Sequence, residues 1–313
     1  MIFRRRSQRR WSIITSAPGG DAGEQWGDTW FARDLAEALV ELGESARVVA
    51  RGGANAPARD EDDVIVVLRG LRAVQPRRAP KRRQAWLSWV ISHPELVEPA
   101  ELADFDAVFA ASTCWSPPGV DVEPLLQATN PRRFHPGAGT ADSGDPVLFV
   151  GSTRGVRRPI VEDALACGAQ LSVYGVGWEG LLPPDVLRGT FLPNPDLPAA
   201  YAAAGIVLND HWPDMAANGF LSNRLFDAVG CAARVVSDPA IGLTEVFGDA
   251  VQVVDGPNSL APLLGPEGHA SFPSHARRSA AAAHIAREHS FTARARVLRD
   301  RAAAILDRRV DRR

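Results

Sequence analysis

The stretch GIVLNDHWPDMAANGFLSNRLFDAVGCAARVVSD, residues 205 to 238, decides how the rest of the chain is interpreted. It predicts a buried strand at residues 206–208, a polar connection, a helix that begins at Ser222, and a second buried strand at Val235 and Val236. A strand that leads through a helix into another buried strand is the repeating unit of a parallel sheet. The sequence therefore predicts an α/β fold.

The start of that helix suits an anionic ligand. Ser222 can cap the helix, because its hydroxyl can accept a hydrogen bond from an amide of the first turn. Asn223 and Arg224 fall in that turn, where amides and a guanidinium favour a phosphate or diphosphate. Asp227 lies one turn further on the same face and could accept hydrogen bonds from sugar hydroxyls. The alternative is an ordinary capped helix with a solvated arginine and aspartate.

Length and composition favour two globular domains. The chain has 313 residues, of which 45% are hydrophobic and 23% charged, with a formal net charge of -2. This balance argues against a general nucleic-acid binder. The three cysteines form no CxxC pair, so neither a metal site nor a disulfide framework is indicated. No apolar run reaches the length of a membrane span and no signal peptide is apparent, so the predicted compartment is the cytoplasm.

The first predicted domain, residues 1–135, opens with a strand and a glycine loop. The strand at residues 11–15 runs into a loop that contains Gly19 and Gly20, without the GxGxxG spacing of dinucleotide-binding proteins. Parallel sheets receive ligands at the carboxyl ends of their strands. The loop is therefore either a donor-binding loop or a flexible turn.

A histidine occupies the corresponding place after another strand. His93 follows the strand predicted at residues 85–91 and precedes a helix predicted at residues 95–104. It could bind a sugar by a hydrogen bond or act as a base near neutral pH. A structural hydrogen-bonding role for His93 is equally compatible with the sequence.

A stretch rich in proline and glycine, residues 130–146, predicts a linker. The βα pattern restarts after it, which places a second domain at residues 136–290. The tail, residues 291–313, predicts a helix that could cross back to the first domain. Two Rossmann-like, doubly wound parallel-sheet domains facing across a cleft are therefore expected.

The second domain also opens with groups that suit a phosphate. A strand at residues 147–150 leads into the sequence GSTRGVRR, and the side chains of Ser152, Arg154 and Arg158 lie just beyond the strand. A strand end that carries glycine, hydroxyl and guanidinium groups is a candidate donor-binding site. A site divided between two domains suits a two-substrate transfer.

Several segments resemble the donor domain of GT-B glycosyltransferases. They are VLFVGSTRGVRR (147–158), LSVYGVGW (171–178) and, most specifically, NGFLSNRLFDAVGCAARVVSD (218–238). The first half is similar through its GG loop and WVISHPE (89–95). Within this fold the chain is most similar to the retaining, family 4-like group and to bacterial CgeB-like proteins.

The resemblance implies roles for the candidate residues of the second domain. Asp227 sits where the family has an acidic residue that binds the ribose hydroxyls of the donor. Asn223 and Arg224 correspond to the helix start near the donor diphosphate. Arg154 and Arg158 fall near basic residues that neutralise that diphosphate.

The resemblance also covers the first domain and includes one departure. Gly19 and Gly20 match a loop that approaches the donor, and His93 lies near an active-site histidine of many members. The wider family has two glutamates eight residues apart, whereas this chain has Gly219 and Asp227 at those positions. One carboxylate is therefore missing and the other is one methylene shorter.

The predicted activity is glycosyl transfer from a nucleotide-diphosphate sugar to a hydroxyl of a glycan, lipid or small molecule. The resemblance implies retention of configuration, and no metal ion and no cofactor besides the donor substrate are expected. Two alternatives remain: a non-catalytic protein of this fold that binds sugar nucleotides or assembles with partners, and a sugar-nucleotide epimerase. A dehydrogenase is disfavoured by the missing GxGxxG.

Two basic segments add a possible partner. They are the amino terminus MIFRRRSQRRW and QPRRAPKRR, residues 75–83. Polybasic segments bind anionic lipid surfaces, so peripheral contact with a membrane is one expectation. The other is that these arginines and lysines are simply solvated.

Overall fold

The computed structural model describes residues 8–74, 83–139, 144–153, 155–265 and 267–311. Arg154 and most of both basic segments lie outside these ranges, so the predictions made for them stay predictions. The chain divides into two compact units. Unit 1 comprises Met1–Leu126 and Phe291–Arg313, and unit 2 comprises Gln127–Ser290.

Unit 1 is built on a six-stranded parallel sheet with the strand order β2-β1-β3-β4-β5-β6. The strands are β1 (Arg10–Ile14), β2 (Ser45–Val49), β3 (Val64–Arg69), β4 (Ala85–Val90), β5 (Ala107–Ala110) and β6 (Val122–Pro124). The α-helices are α1 (Asp21–Glu24), α2 (Gly27–Glu41), α3 (Pro99–Leu102) and, from the end of the chain, α11 (Phe291–Asp311). Every residue of β3 and β4 is buried, as expected of a parallel sheet that is covered on both faces.

Aromatic rings join the two long helices of unit 1 to its sheet. The ring of Phe31 in α2 lies 5.1 Å from that of Trp89 in β4 and 4.7 Å from that of Phe291 in α11, both in edge-to-face geometry. Apolar area buried in this way is the main source of stability for such a layer. The last helix is therefore part of the core of unit 1.

The region after β4 differs from its predicted helix at residues 95–104. It forms a 3₁₀ turn, Pro94–Leu96, and then the single-turn helix α3. Each of these pieces begins with a proline, which has no amide to donate and disfavours helical geometry in the residue before it. Pro94 and Pro99 therefore divide the segment.

Unit 2 also has a six-stranded parallel sheet, with the order β12-β11-β10-β7-β8-β9. The strands are β7 (Val147–Val150), β8 (Leu171–Tyr174), β9 (Leu187–Gly189), β10 (Ile206–Asn209), β11 (Val235–Ser237) and β12 (Val251–Val253). The α-helices are α4 (Pro159–Ala166), α5 (Leu197–Ala203), α6 (Pro213–Ala217), α7 (Asn223–Gly230), α8 (Leu243–Phe247), α9 (Pro257–Leu264) and α10 (His275–Glu288).

The boundary between the units lies at residues 126–127, upstream of the expected boundary at 135. Thr129 donates its amide to the carbonyl of His289 at 2.9 Å, and the ring of Phe134 stacks 6.2 Å from that of Tyr201. These contacts hold the start of the expected linker on unit 2.

The prediction of two doubly wound parallel-sheet domains is confirmed. In each sheet the strand order reverses once, between β1 and β3 in unit 1 and between β7 and β10 in unit 2. Loops diverge at such a point and leave a crevice at the carboxyl ends of the strands. A ligand site is therefore expected at these two places.

Candidate functional site

Arg224 lies at the point where the strand order of unit 2 reverses. One nitrogen of its guanidinium donates to Asn209 Oδ1 at 3.0 Å, and another donates to the carbonyl of Val150. Val150 ends β7 and Asn209 ends β10, the two strands on either side of the reversal. Arg224 is the second residue of α7, so the helix start faces the same edge. A guanidinium is thus fixed where sheets of this kind receive ligands.

Arg158 lies beside it in a buried ion pair. Two of its guanidinium nitrogens contact the two carboxylate oxygens of Asp210, and Nη1 donates to the carbonyl of Ser152 at 3.1 Å. The side chains of Arg158 and Asp210 are 10% and 4% exposed. Arg224 Nη1 lies 4.0 Å from the same carboxylate. Two guanidinium groups therefore lie near the single carboxylate of Asp210.

An aromatic ring supports both arginines. The guanidinium carbon of Arg224 lies 4.9 Å from the centroid of Phe149, and that of Arg158 lies 5.5 Å from it. Arg158 also lies 5.4 Å from the ring centroid of Trp212. Contacts of this kind orient the planar cations and attract them to the ring faces. The arginines are therefore held in place before any ligand arrives, which lowers the entropic cost of binding.

Asp227 takes part in a buried hydrogen-bond network. Asn223 Nδ2 donates to Asp227 Oδ2 at 2.9 Å, which shows that the two side chains share one helix face, as predicted. Thr129 Oγ1 donates to Asp227 Oδ1 at 2.7 Å. Both carboxylate oxygens therefore already accept a hydrogen bond from the protein. Asn223 Oδ1 is buried and has no hydrogen-bond partner among the residues that the structure describes.

The cap of α7 differs in one respect from the prediction. Ser222 occupies the N-cap position, but its side chain makes no capping hydrogen bond. Its backbone carbonyl accepts instead from the amide of Leu225 at 3.0 Å. Gly219, three residues earlier, has a φ of 69°, a conformation that glycine adopts without strain.

The loops after β7 and β8 are interlocked. The hydroxyl of Ser152 accepts from the amide of Val176 at 3.3 Å, and Thr153 Oγ1 donates to the carbonyl of Gly177 at 3.1 Å. A Cβ atom on Gly177 would lie 2.4 Å from Thr153 Oγ1, so the close approach requires glycine. Ser152 therefore lies in a loop whose shape is fixed by hydrogen bonds to the loop after β8.

Buried titratable groups line the inner side of the site. Burial raises the pKa of the Tyr201 hydroxyl, while the charge of Arg224 and a hydrogen bond with it act in the opposite direction. Burial also raises the pKa of the Cys231 thiol, and the nearby carboxylate of Asp227 adds to that increase. Both groups are therefore neutral at physiological pH and neither offers a nucleophile.

The glycine loop of unit 1 lies where the strand order of that sheet reverses. Gly20 has a φ of 67° and precedes α1, and Gly19 would bring a Cβ atom to 3.6 Å from Ala50. Arg51 Nη1 donates to the carbonyl of Ser16 at 3.1 Å, just before this loop. The loop therefore has a basic side chain next to it, one that was not predicted as part of the site.

His93 has an unusual backbone conformation. Its backbone angles φ and ψ are 52° and 58°, in the left-handed region that residues other than glycine rarely adopt. His93 is also buried, with 8% of its surface exposed. It follows β4 and its carbonyl accepts from the amide of Leu96 at 3.1 Å. Local strain of this type is common at functional positions. The strain supports the functional interpretation of His93 without assigning it a role.

Sequence reasoning missed the polar groups at the ends of β10 and β11. Asp210, His211 and Asp238 form part of this edge, and His211 Nδ1 lies 2.6 Å from Asp238 Oδ1. The available signal was that all three lie two or three residues beyond the ends of strands that were predicted. Within the described ranges, no group of three or more His, Cys, Asp and Glu side chains is placed to hold a metal ion.

The comparisons with known proteins agree with this geometry. Residues 157–300 match the family model described as glycosyl transferase-like. The chain therefore has the GT-B fold and carries a glycosyl transferase-like domain. The predictions of a GT-B glycosyltransferase, and of an enzyme of that class, are confirmed at this level. The matched residues include both arginines and all of α7.

Solved structures with this fold align with nearly the whole chain. AviGT4, a glycosyltransferase involved in avilamycin A biosynthesis, is 17% identical with a TM-score of 0.66, covering 96% of this chain and 98% of its own. Sucrose-phosphate synthase from Thermosynechococcus elongatus is 15% identical, with a TM-score of 0.65 and coverage of 95% and 100%. HepE from Anabaena in complex with UDP-glucose is 13% identical, with a TM-score of 0.61 and coverage of 95% and 100%. At such identities the likeness shows the fold.

Among curated proteins, none matches the chain. Within the part of the chain that the structure describes, no helix is long and apolar enough to cross a membrane. The sugar, the acceptor and the stereochemistry therefore have to be argued from the site.

Proposed function

We propose that this protein transfers a sugar from a nucleotide-diphosphate sugar to a hydroxyl group of an acceptor. The observation that carries the proposal is the position of Arg224, fixed between the ends of β7 and β10 at the start of α7. A diphosphate at that point would meet a guanidinium and the positive end of a helix. HepE, which shares the fold, has been solved with UDP-glucose bound.

Transfer requires a group that stabilises the leaving diphosphate. The bond between the anomeric carbon and the diphosphate oxygen breaks, and a bond from that carbon to the acceptor oxygen forms. The acceptor proton passes to the departing phosphate oxygen. Negative charge develops on the diphosphate, and Arg224 with the first turn of α7 would stabilise it without a metal ion. The same scheme is compatible with the proposed retention of configuration.

The two described arginines have different parts in this scheme. Arg158 is bonded to Asp210 through two nitrogens and to a backbone carbonyl through the third. Its charge is largely neutralised by that carboxylate, so it mainly supports the edge of the sheet. In contrast, Arg224 Nη1 lies 4.0 Å from the same carboxylate, which is a longer and weaker contact, and the Arg224 side chain is 14% exposed. We therefore assign the main contact with the diphosphate to Arg224, with Asn223 beside it.

The other residues predicted from the sequence have supporting parts in the proposal. Ser152 follows β7 at the phosphate side of the site, and the part of Arg154 in diphosphate binding stays a prediction from the sequence. Asp227 holds Asn223 and is a candidate for the ribose hydroxyls. The part of Gly19 and Gly20 in donor binding stays a prediction from the resemblance. His93 is the candidate catalytic group of unit 1.

The test measures nucleotide binding and turnover in the full chain. Purified protein is mixed with UDP-, GDP- and dTDP-sugars, and thermal shift and nucleoside diphosphate release are recorded. We expect Arg224→Ala to abolish the shift caused by the preferred nucleotide sugar. Arg277→Ala removes an arginine that is 69% exposed at the surface of the same unit and serves as the control. An unchanged shift in the Arg224 variant would remove this residue from the site.

A non-catalytic role is the second candidate, and two observations favour it. Gly219 offers no carboxylate, and both oxygens of Asp227 are bonded within the protein. A protein of that kind would bind the nucleotide sugar but release no nucleoside diphosphate with any hydroxyl acceptor. Conversion of the nucleotide sugar without an acceptor would instead indicate an epimerase.

We also propose that the protein acts in the bacterial cytoplasm, in peripheral contact with an anionic membrane through its two basic segments. Polybasic segments contribute about 1 kcal/mol per residue near anionic lipid. The check is co-sedimentation with vesicles of phosphatidylglycerol and phosphatidylcholine at low and high salt. Absence of binding at low salt would end this part of the proposal.

A further inference from the structure

A histidine and an aspartate form a fixed pair at the carboxyl ends of β10 and β11. The amide of His211 donates to Asp238 Oδ2 at 2.9 Å, and His211 Nδ1 lies 2.6 Å from Asp238 Oδ1. A carboxylate only accepts hydrogen bonds, so Nδ1 carries a proton. In the neutral form of the imidazole, the free lone pair then lies on Nε2.

Further hydrogen bonds hold this pair in position. Ser237 Oγ donates to Asp238 Oδ1 at 3.2 Å and accepts from Asn209 Nδ2 at 2.9 Å. Asn209 is the residue that accepts from Arg224. The imidazole is thus connected, through a chain of polar contacts, to the arginine at the reversal of the strand order.

The Nε2 atom of His211 has no partner in the described part of the chain. It is buried, and the side chain as a whole is 0% exposed. Native proteins seldom leave a buried polar atom without a hydrogen bond, and exceptions often have a functional reason. Here Asp238 orients the ring and is itself held through Ser237 and Asn209. The outer nitrogen of the ring then has no hydrogen-bond partner among the described residues. This arrangement indicates a partner that comes from outside the chain.

The neighbours of His211 identify the region in which that partner would bind. Asp210, the preceding residue, pairs with Arg158, and Trp212, the following residue, lies against the same guanidinium. Asn209 contacts Arg224. The segment from Asn209 to Trp212 therefore lines the proposed donor site, and His211 lies in its middle.

We propose that His211 Nε2 accepts a hydrogen bond from a hydroxyl of the sugar carried by the donor. The inference rests on the proposed function. A neutral imidazole with a free lone pair matches a hydroxyl, which can donate, better than an ionised phosphate, which cannot. Complete burial also suits the reacting sugar, because exclusion of water protects it from hydrolysis. Because the His211 side chain is 0% exposed, the proposal requires the side chains around the ring to move when the sugar binds.

The main test compares a nucleotide sugar with its nucleoside diphosphate. His211→Asn keeps a donor near the Nδ1 position for Asp238 but removes the Nε2 acceptor, whereas His211→Gln can extend an acceptor to that distance. Calorimetry measures the binding of a nucleotide sugar and of its own nucleoside diphosphate. The pairs are UDP-glucose with UDP, GDP-mannose with GDP, and dTDP-glucose with dTDP. We expect His211→Asn to weaken the nucleotide sugar about tenfold, the factor for one hydrogen bond, and to leave the nucleoside diphosphate unchanged. His211→Gln should restore part of the affinity.

Controls separate this contact from misfolding. His275→Asn changes an exposed histidine on α10 and should affect neither ligand. Circular dichroism and the melting temperature without ligand show whether each His211 variant folds. Asp238→Asn supplies a second, independent variant: it removes the carboxylate that fixes the tautomer and should cause the same sugar-specific loss.

The possible results have distinct meanings. If the wild-type protein binds none of the nucleotides, the proposed function fails and this inference fails with it. If the wild-type protein binds but His211→Asn and Asp238→Asn lose nothing, only the inference is wrong. Equal loss of the nucleotide sugar and the nucleoside diphosphate would assign the contact to ribose or phosphate and overturn it. A water molecule that stays on Nε2 in a crystal structure of the nucleotide-sugar complex would overturn it as well.

Discussion

The hydroxyl of Thr129 donates to a carboxylate oxygen of Asp227 at 2.7 Å, across 98 positions of the chain. The amide of Thr129 donates to the carbonyl of His289. The chain passes from unit 1 to unit 2 just before Thr129 and returns just after His289. Asp227 therefore anchors both crossing segments to the helix that carries Asn223 and Arg224.

Removal of the Thr129 hydroxyl should destabilise unit 2. Thr129→Val keeps the shape of the side chain but leaves a buried oxygen of Asp227 without this donor, at a cost of about 1–3 kcal/mol. The measurement is the urea unfolding transition of unit 2, followed by tryptophan fluorescence. Thr244→Val, at an exposed position, is the control and should change little. Equal midpoints for the two variants would contradict the anchoring role.

The pair of Arg158 and Asp210 should behave as a coupled unit. Both side chains are buried, so loss of one partner leaves an unpaired charge and should cost about 3–5 kcal/mol. Arg158→Met, Asp210→Asn and the double variant form a double-mutant cycle. We expect the double variant to lose less stability than the sum of the two single variants. Additive losses would mean that Arg158 and Asp210 act separately.

His93 should be more easily replaced by glycine than by alanine. Both His93→Gly and His93→Ala remove the imidazole, but only glycine adopts a φ of 52° without a steric penalty. The glycine variant should therefore be more stable by about 1 kcal/mol. Thermal unfolding of the two proteins measures this difference. If the imidazole is catalytic, both variants lose turnover to the same extent, and retained turnover would restrict His93 to a structural role.

The cysteines should differ in their reaction with iodoacetamide. Burial raises the pKa of Cys231, and the thiolate is the reactive form, so Cys231 should stay unmodified in the native protein. Cys114 is exposed and should react first. Mass spectrometry after labelling at pH 8 follows each site, and labelling in urea should modify all three cysteines. Native labelling of Cys231 at the rate of Cys114 would show that unit 2 opens readily.

Strands with a clear apolar pattern were predictable, and short edge strands were not. The residues of β7, VLFV, form a continuous apolar run and were predicted with the observed bounds. In contrast, β6 and β9 have three residues each and contain glutamate, proline, arginine or glycine. Such edge strands are defined by pairing with a neighbour, as Val122 with Val108, which a local pattern does not reveal.

The candidate site shows the same division. The position of Asn223 and Arg224 in the first turn of α7 was predictable, because a helix start that carries an arginine is visible in a few consecutive residues. The contact between His211 and Asp238 was not, since the two residues are 27 positions apart and meet only because β10 and β11 are adjacent. The pairing of Asp227 with Thr129 required the course of the chain between the units. Contacts that depend on register or on chain crossing therefore have to come from the structure.

The position of α11 affects the order in which this protein can assemble on the ribosome. The aromatic layer of unit 1 contains Phe31 from the beginning of the chain and Phe291 from near its end. In the sequence, unit 2 is one continuous segment between Phe31 and Phe291. Unit 1 must therefore wait with an incomplete core until translation has passed residue 311, while unit 2 already has all of its residues. The part of the chain that is made first is thus the last to be completed, the reverse of the usual amino-terminal order of folding during synthesis.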